Sequence, residues 1–262
     1  MGMKLNKKNY HTLKNKYLSN SKIKDFMKDP DYFYKKHVTG EIVFEPTPSM
    51  KIGSAVDLWL TGSPAQFRKK YQEKVLKKDN PDLFDVQKLL DPQCLLSPAE
   101  FAKVTGIVKR VKKLSIYKNI KKNFKSQKIL KVEQEMGMFP GICGIPDWYI
   151  VADSDCIIVD LKTTQNVAEN KFKWSCLDYG YYIQQAVYQM LLKELHPEIK
   201  KFKSYILAVE SLEPYLVNLF ELEQEQIDFT KVEVTRVLYD IAKFKAKDFK
   251  PRNISWKDSI TI

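Results

Sequence analysis

Two β-rich stretches, 142–151 and 156–161, flank the triplet Asp153-Ser154-Asp155. Asp and Ser favour tight turns because their side chains bond to nearby backbone. The segment therefore reads as two antiparallel strands closed by a short turn, a hairpin that cannot sit in water alone and must lie inside a sheet. The hairpin also fixes where its polar residues go. In a strand, residues two apart share a face, so Asp160 and Lys162 project together while Leu161 points the opposite way. Closing the turn at 153–155 brings Asp147 opposite positions 160–162.

The rest of the chain reads around that hairpin. Leu18-Ser19-Asn20-Ser21 precedes a helix whose apolar positions Ile23, Phe26 and Met27 share a face, with Ser19 or Ser21 as its cap. Gly53 to Leu60 is a short apolar helix. Residues 62–97 carry Pro at 64, 81 and 92 and give no clear pattern. Ser97-Pro98-Ala99-Glu100 supplies a cap, a first-turn Pro and an early acid, so a helix to about residue 114 follows. A strand is expected over 129–139, a helix over 178–195, and a second hairpin over 202–209 and 215–222. A last helix runs from Glu223 to about Lys247. The order predicts an α/β (α+β) chain with a central mixed sheet flanked by helices. It reads as a single domain over 1–262: a mostly helical part over 1–125, sheet and helices over 126–247, and a tail over 248–262.

Close approach of Asp147 and Asp160 is costly unless a cation joins them. Mg²⁺, with Mn²⁺ as substitute, suits oxygen donors, and the Leu161 carbonyl is a further candidate ligand. Such an ion acidifies a bound water and polarises a phosphate, while Lys162 can orient that water and stabilise developing negative charge. The constellation points to metal-assisted phosphodiester hydrolysis, although acid-x-Lys at a strand end is common by itself.

Other residues could surround the site. Gln184 and Tyr188 are four apart on one helical face, with Tyr181 a turn earlier. A Gln amide can bond a phosphate or water, and a Tyr can stack or contact backbone; alone, such a stripe is more often core. Asp57 lies in an apolar helix, where a buried carboxylate needs a partner; a shared metal, a cap or surface placement would each serve. Glu133 and Glu135 share a strand face and could reach the metal or Lys162, or face solvent.

Net charge of +12 with a pI near 9.3 favours a polyanionic partner. Lysine outnumbers arginine, which suits backbone contact more than base reading. The four cysteines form no CxxC pair, which argues against zinc and iron–sulfur sites. No apolar run matches a membrane span and the N-terminus lacks a signal-peptide core, so a cytoplasmic protein without a membrane partner is expected.

Together, Pro146-Asp147, then Asp160-Leu161-Lys162, then Gln184-x3-Tyr188 resembles the PD-(D/E)xK nuclease superfamily, RecB-like branch. Leu18-Ser19-x-Ser21 with Pro30 and Phe33, Gly53-Ser54-x-x-Asp57 and Val159-Asp160-Leu161-Lys162-Thr163-Thr164 are similar to the phage and prophage RecE-type exonucleases. The resemblance covers about residues 18–245. It implies a restriction-endonuclease-like core and a Mg²⁺-dependent 5′-to-3′ exonuclease on linear double-stranded DNA, acting in phage or prophage recombination within a bacterial host cell. It also implies a ring-shaped homo-oligomer and a single-strand annealing partner. By position it makes Asp147 and Asp160 metal ligands and Lys162 the catalytic lysine, with Gln184 and Tyr188 as the Gln–Tyr helix motif. Where Asp57 stands the family helix often carries His. The alternatives are a RecB-like endonuclease or single-strand nuclease, and a DNA-binding protein with an idle nuclease fold.

Overall fold

A computed structural model describes residues 16–243. The tail with Trp256 lies outside the described residues. Among the described residues seven α-helices precede the main sheet: α1 (Asn20–Lys28), α2 (Pro30–His37), α3 (Pro48–Thr61), α4 (Pro64–Lys70), α5 (Pro81–Gln87), α6 (Pro98–Lys112) and α7 (Ser115–Asn123). Five of these, all but α1 and α7, begin at Pro, whose missing N–H costs nothing in a first turn. In α6 the expected capping box is present: Ser97 Oγ accepts from the Glu100 N–H, and the Glu100 carboxylate accepts from the Ser97 N–H. The short strands β1 (Gln72–Glu73) and β2 (Leu95–Leu96) pair in parallel and tie down the segment that the sequence leaves unplaced.

The remaining strands are β3 (Lys125–Ser126), β4 (Leu130–Met136), β5 (Phe139–Gly144), β6 (Trp148–Ala152), β7 (Asp155–Thr164), β8 (Lys201–Glu210) and β9 (Val217–Glu221). Helices α8 (Glu169–Asp178) and α9 (Tyr181–Leu195) connect β7 to β8, and α10 (Gln224–Lys243) follows β9. The main sheet has the order β3-β6-β7-β8-β9, mixed because β7 and β8 are parallel and the other neighbours antiparallel. The expected hairpin is there, with Trp148 opposite Val159 and Ala152 opposite Asp155.

Two expectations need correction. The stretch 142–151 is not one strand. It breaks at Ile145-Pro146-Asp147, because Pro146 has no N–H to give a ladder. As a result β4 and β5 form a separate two-stranded sheet, and β6 begins afresh at Trp148. The chain after β7 also holds two helices rather than one: α8 precedes α9, and Gly180 between them adopts φ 62°, a left-handed conformation natural to glycine.

Alternation along β7 divides the core. Cys156 and Ile158 face a cluster built from α1, α2, α9, α10 and the β4–β5 hairpin, with Phe33, Phe172 and Leu192 buried. Val159 and Leu161 face a second cluster from α3, α4, α6 and α7, with Phe67, Ile107 and Trp148 buried. Asp160 and Lys162 therefore continue the face turned to α1 and α9. Cys143, Cys156 and Cys176 are buried, Cys94 is half-buried, and all four are free thiols. Among the described residues no helix is long and apolar enough to cross a membrane.

Candidate active site

The break before β6 puts Asp147 at the open end of its strand, where its carboxylate takes up the hydrogen bond that the ladder no longer supplies. The Leu161 N–H donates to Asp147 Oδ2 at 2.7 Å. A strand residue presents its N–H and C=O to the same neighbour, so the Leu161 carbonyl also opens toward the Asp147 side. The hairpin thus brings Asp147, Asp160, Leu161 and Lys162 together. Asp160 is 1% exposed. Its Oδ1 accepts from Gln184 Nε2 at 2.9 Å, and its Oδ2 forms an ion pair with the Lys162 ammonium.

Gln184 and Tyr188 support the acids from α9. The Tyr188 hydroxyl donates to the Ile145 carbonyl at 2.7 Å and accepts from Gln184 Nε2 at 2.9 Å. One residue pair therefore holds both arms of the site: Gln184 grips the Asp160 side chain, and Tyr188 grips the backbone just before Pro146-Asp147. Gly144 makes room for this, since a Cβ there would lie 2.9 Å from the Tyr188 ring. In this arrangement the pair is directed at the protein's own acids and backbone rather than at a phosphate. Tyr188→Phe is expected to release the Ile145 carbonyl and one Gln184 contact at a cost of about 1–2 kcal/mol. Thermal unfolding measures this, and an unchanged midpoint would remove the clamp from the account.

Asp57 comes to the same place from α3. Gln127 Nε2 donates to Asp57 Oδ1 and to Asp147 Oδ1, both at 3.2 Å. The Gln127 N–H also donates to the Asp147 carbonyl at 3.1 Å. Sequence reading missed Gln127, which sits in a Lys-rich stretch with no pattern around it. Its positive φ of 51°, uncommon for a residue with a side chain, belongs to the turn that aims it at both acids. Gly53, one turn before Asp57, lets α3 approach β7: a Cβ there would lie 3.0 Å from Thr163 Oγ1.

The hairpin acids go elsewhere. The Glu133 carboxylate accepts from the Tyr17 hydroxyl at 2.8 Å and pairs with Lys131. Glu135 lies exposed on the same strand. Their sheet is separate from the one that carries Asp160, so of the two placements the sequence allows they take the solvated face.

The electrostatics follow from crowding. Burial, then the negative charges of Asp160 and Asp57, push the Asp147 carboxyl well above its ordinary range, against the pull of Lys162 and the Leu161 N–H. Burial by itself would lower the Lys162 amine, but Asp160 and Asp147 outweigh it and hold it above its usual value. Lys162 is thus a charged donor here, 22% exposed along its side chain.

The donor set fits a hard divalent cation: three carboxylates and one carbonyl, all oxygen. Asp160 Oδ2 is buried and accepts no well-formed hydrogen bond, its only match being the Lys162 charge. Among the described residues no group of three or more His, Cys, Asp or Glu side chains already stands as a coordination shell. The reason is visible: the Gln127 amide lies between Asp57 and Asp147, and the Lys162 ammonium lies against Asp160.

A family model described as a PDDEXK-like domain of unknown function (DUF3799) matches residues 19–256. The crystal structure of a candidate exonuclease from Eubacterium rectale superposes with a TM-score of 0.63 at 22% identity, covering 92% of this chain and 88% of its own. A second solved chain, SSO0001, aligns over 80% of this chain and 86% of its own at 11% identity and a TM-score of 0.30, too distant to carry an argument. No curated protein matches the sequence.

Proposed function

The chain belongs to this PDDEXK-like family, and on that premise we propose that it is a divalent-cation-dependent deoxyribonuclease, acting as a 5′-to-3′ exonuclease on linear double-stranded DNA. The single observation that carries the reading is the convergence of Asp147, Asp160 and Lys162 at one strand end, with each acid held by its own hydrogen bonds. An idle fold has no use for a costly acidic cluster beside a lysine.

Asp147, Asp160 and the Leu161 carbonyl would hold Mg²⁺ or Mn²⁺, with Asp57 as a further ligand from α3. When bound, the ion supplies phosphate polarisation and an acidified water. The chain's own residues do the rest. Lys162 donates to the scissile phosphate or to the attacking water and stabilises the charge that develops. Gln184 and Tyr188 keep Asp160 and the Ile145-Pro146-Asp147 backbone in place. The net charge of +12 suits the DNA backbone. Polarity and a place in phage or prophage recombination, with an annealing partner and a ring-shaped assembly, rest on the RecE-type resemblance.

End-labelled linear duplex, covalently closed circles and single strands, each with Mg²⁺ or EDTA, test the reading. Expected is Mg²⁺-dependent loss of linear duplex from its 5′ ends, with circles intact. Cutting of closed circles would replace the exonuclease with a RecB-like endonuclease. Binding without any cleavage would favour an idle fold.

A further inference from the structure

Beside the acid–lysine pair, aromatic and basic side chains form a continuous strip that leads from the site to the surface. Tyr181, at the start of α9, is buried, and the Lys162 ammonium lies 5.0 Å from the centre of its ring. Tyr179 stacks beside Tyr181, with centroids 6.0 Å apart and planes at 28°, yet it is 62% exposed. Gly180 separates the two, and the stem of Lys24 crosses it: a Cβ on Gly180 would lie 2.7 Å from Lys24 Cδ. The Lys24 ammonium donates to the Tyr179 carbonyl at 2.7 Å, close enough to Lys162 and Asp160 to feel their charges.

An aromatic ring braced on one side and open on the other presents a ready face for stacking. A cation fixed to the backbone of that same residue adds a phosphate contact beside it. From this geometry we infer that Tyr179 and Lys24 hold the nucleotide next to the scissile phosphate, Tyr179 stacking on an unpaired base and Lys24 contacting the adjoining phosphate. The inference rests on the nuclease reading above and names the substrate feature that the same site takes. A protein ring can cover a base only where that base has an open face, at a strand end or in a single strand. Stacking of this kind tolerates any base, since every base has a π-face. The platform therefore favours DNA ends over closed duplex without reading sequence.

The test places 2-aminopurine at the terminal nucleotide of a short linear duplex, at the 5′ end and at the 3′ end in separate probes, in EDTA to prevent cleavage. Wild-type protein is expected to quench the fluorescence of one of these probes. Tyr179→Ala should abolish the quench and weaken binding about 10-fold, while Tyr179→Phe, which keeps the ring, should retain both. Tyr239→Ala, which removes an equally exposed ring on α10, should behave as wild type. Lys24→Ala should lower the slope of log affinity against log salt by about one. Wild-type quenching and affinity in Tyr179→Ala, with the parent protein active on DNA, would overturn the platform and leave the nuclease reading standing. Loss of the quench in Tyr179→Phe would overturn it as well, because the ring would then not be the contact. If the parent protein neither binds nor cleaves DNA, both readings fall.

Discussion

Lys162→Ala is expected to lower DNA cleavage by at least about 10²-fold, the range set by loss of one preorganised charge-stabilising donor, while DNA binding in EDTA stays near wild type. Lys162 is the only cation in ion-pair contact with Asp160 among the described residues; the nearby Lys24 ammonium is tied to the Tyr179 carbonyl instead. The substitution has a second effect that must be separated from the first. It leaves Asp160, 1% exposed, without its counter-charge, at a cost on the order of 3 kcal/mol. Lys162→Met keeps an aliphatic stem against the Tyr181 ring and loses only the charge, so equal inactivity in both variants would exclude lost packing as the cause. Circular dichroism confirms that each variant is folded. Normal cleavage rates in either one would remove Lys162 from the chemistry. If DNA binding fell as far as cleavage, the ammonium would be a binding group and not one that acts in the transition state.

Much of the site could be read from the chain because a hairpin has few degrees of freedom. Once 153–155 is taken as the turn, the period of two in a strand puts Asp160 with Lys162, and the register brings Asp147 opposite them. The structure has Trp148 opposite Val159, which makes Asp147 the next residue on that rail. Helix spacing likewise put Gln184 and Tyr188 on one face, but not what they touch: the Ile145 carbonyl is 43 positions away in the chain, and no local pattern announces a contact that long. Gln127 was illegible for the same reason, since its value lies wholly in bridging two acids from different elements. Helix α8 escaped notice because only Phe172 and Cys176 are buried, while Trp174 and Leu177 face out and blur the apolar stripe. Glu133 and Glu135 take the solvent-facing option that the sequence left open. Their shared face was legible, but Pro146 splits their hairpin from the main sheet, and that split is a tertiary outcome.

Asp147→Asn and Asp160→Asn should each abolish cleavage and remove measurable Mn²⁺ binding by calorimetry, and the geometry says more than the loss of a negative charge does. Each carboxylate has both of its oxygens matched, by hydrogen bonds at Asp147 and by one hydrogen bond and one ion pair at Asp160. Asp147 takes the Gln127 amide on Oδ1 and the Leu161 N–H on Oδ2; Asp160 takes Gln184 on Oδ1 and Lys162 on Oδ2. An asparagine has one acceptor oxygen, so its NH₂ group must face a donor whichever way the amide turns. Asp160→Asn should lower the unfolding midpoint of the cation-free protein, because the donor its NH₂ group faces is charged; at Asp147 the misplaced NH₂ group is offset by relief from burial and from the Asp160 and Asp57 charges, so the midpoint should move less. Asp57 reaches the site from α3, outside the hairpin, where Gln127 ties it to Asp147. Asp57→Asn should weaken Mn²⁺ binding without abolishing it, because the two hairpin acids remain. Unchanged Mn²⁺ titrations in both Asp147→Asn and Asp160→Asn would refute the ligand assignment, because no oxygen left in the pair would carry charge at the altered position.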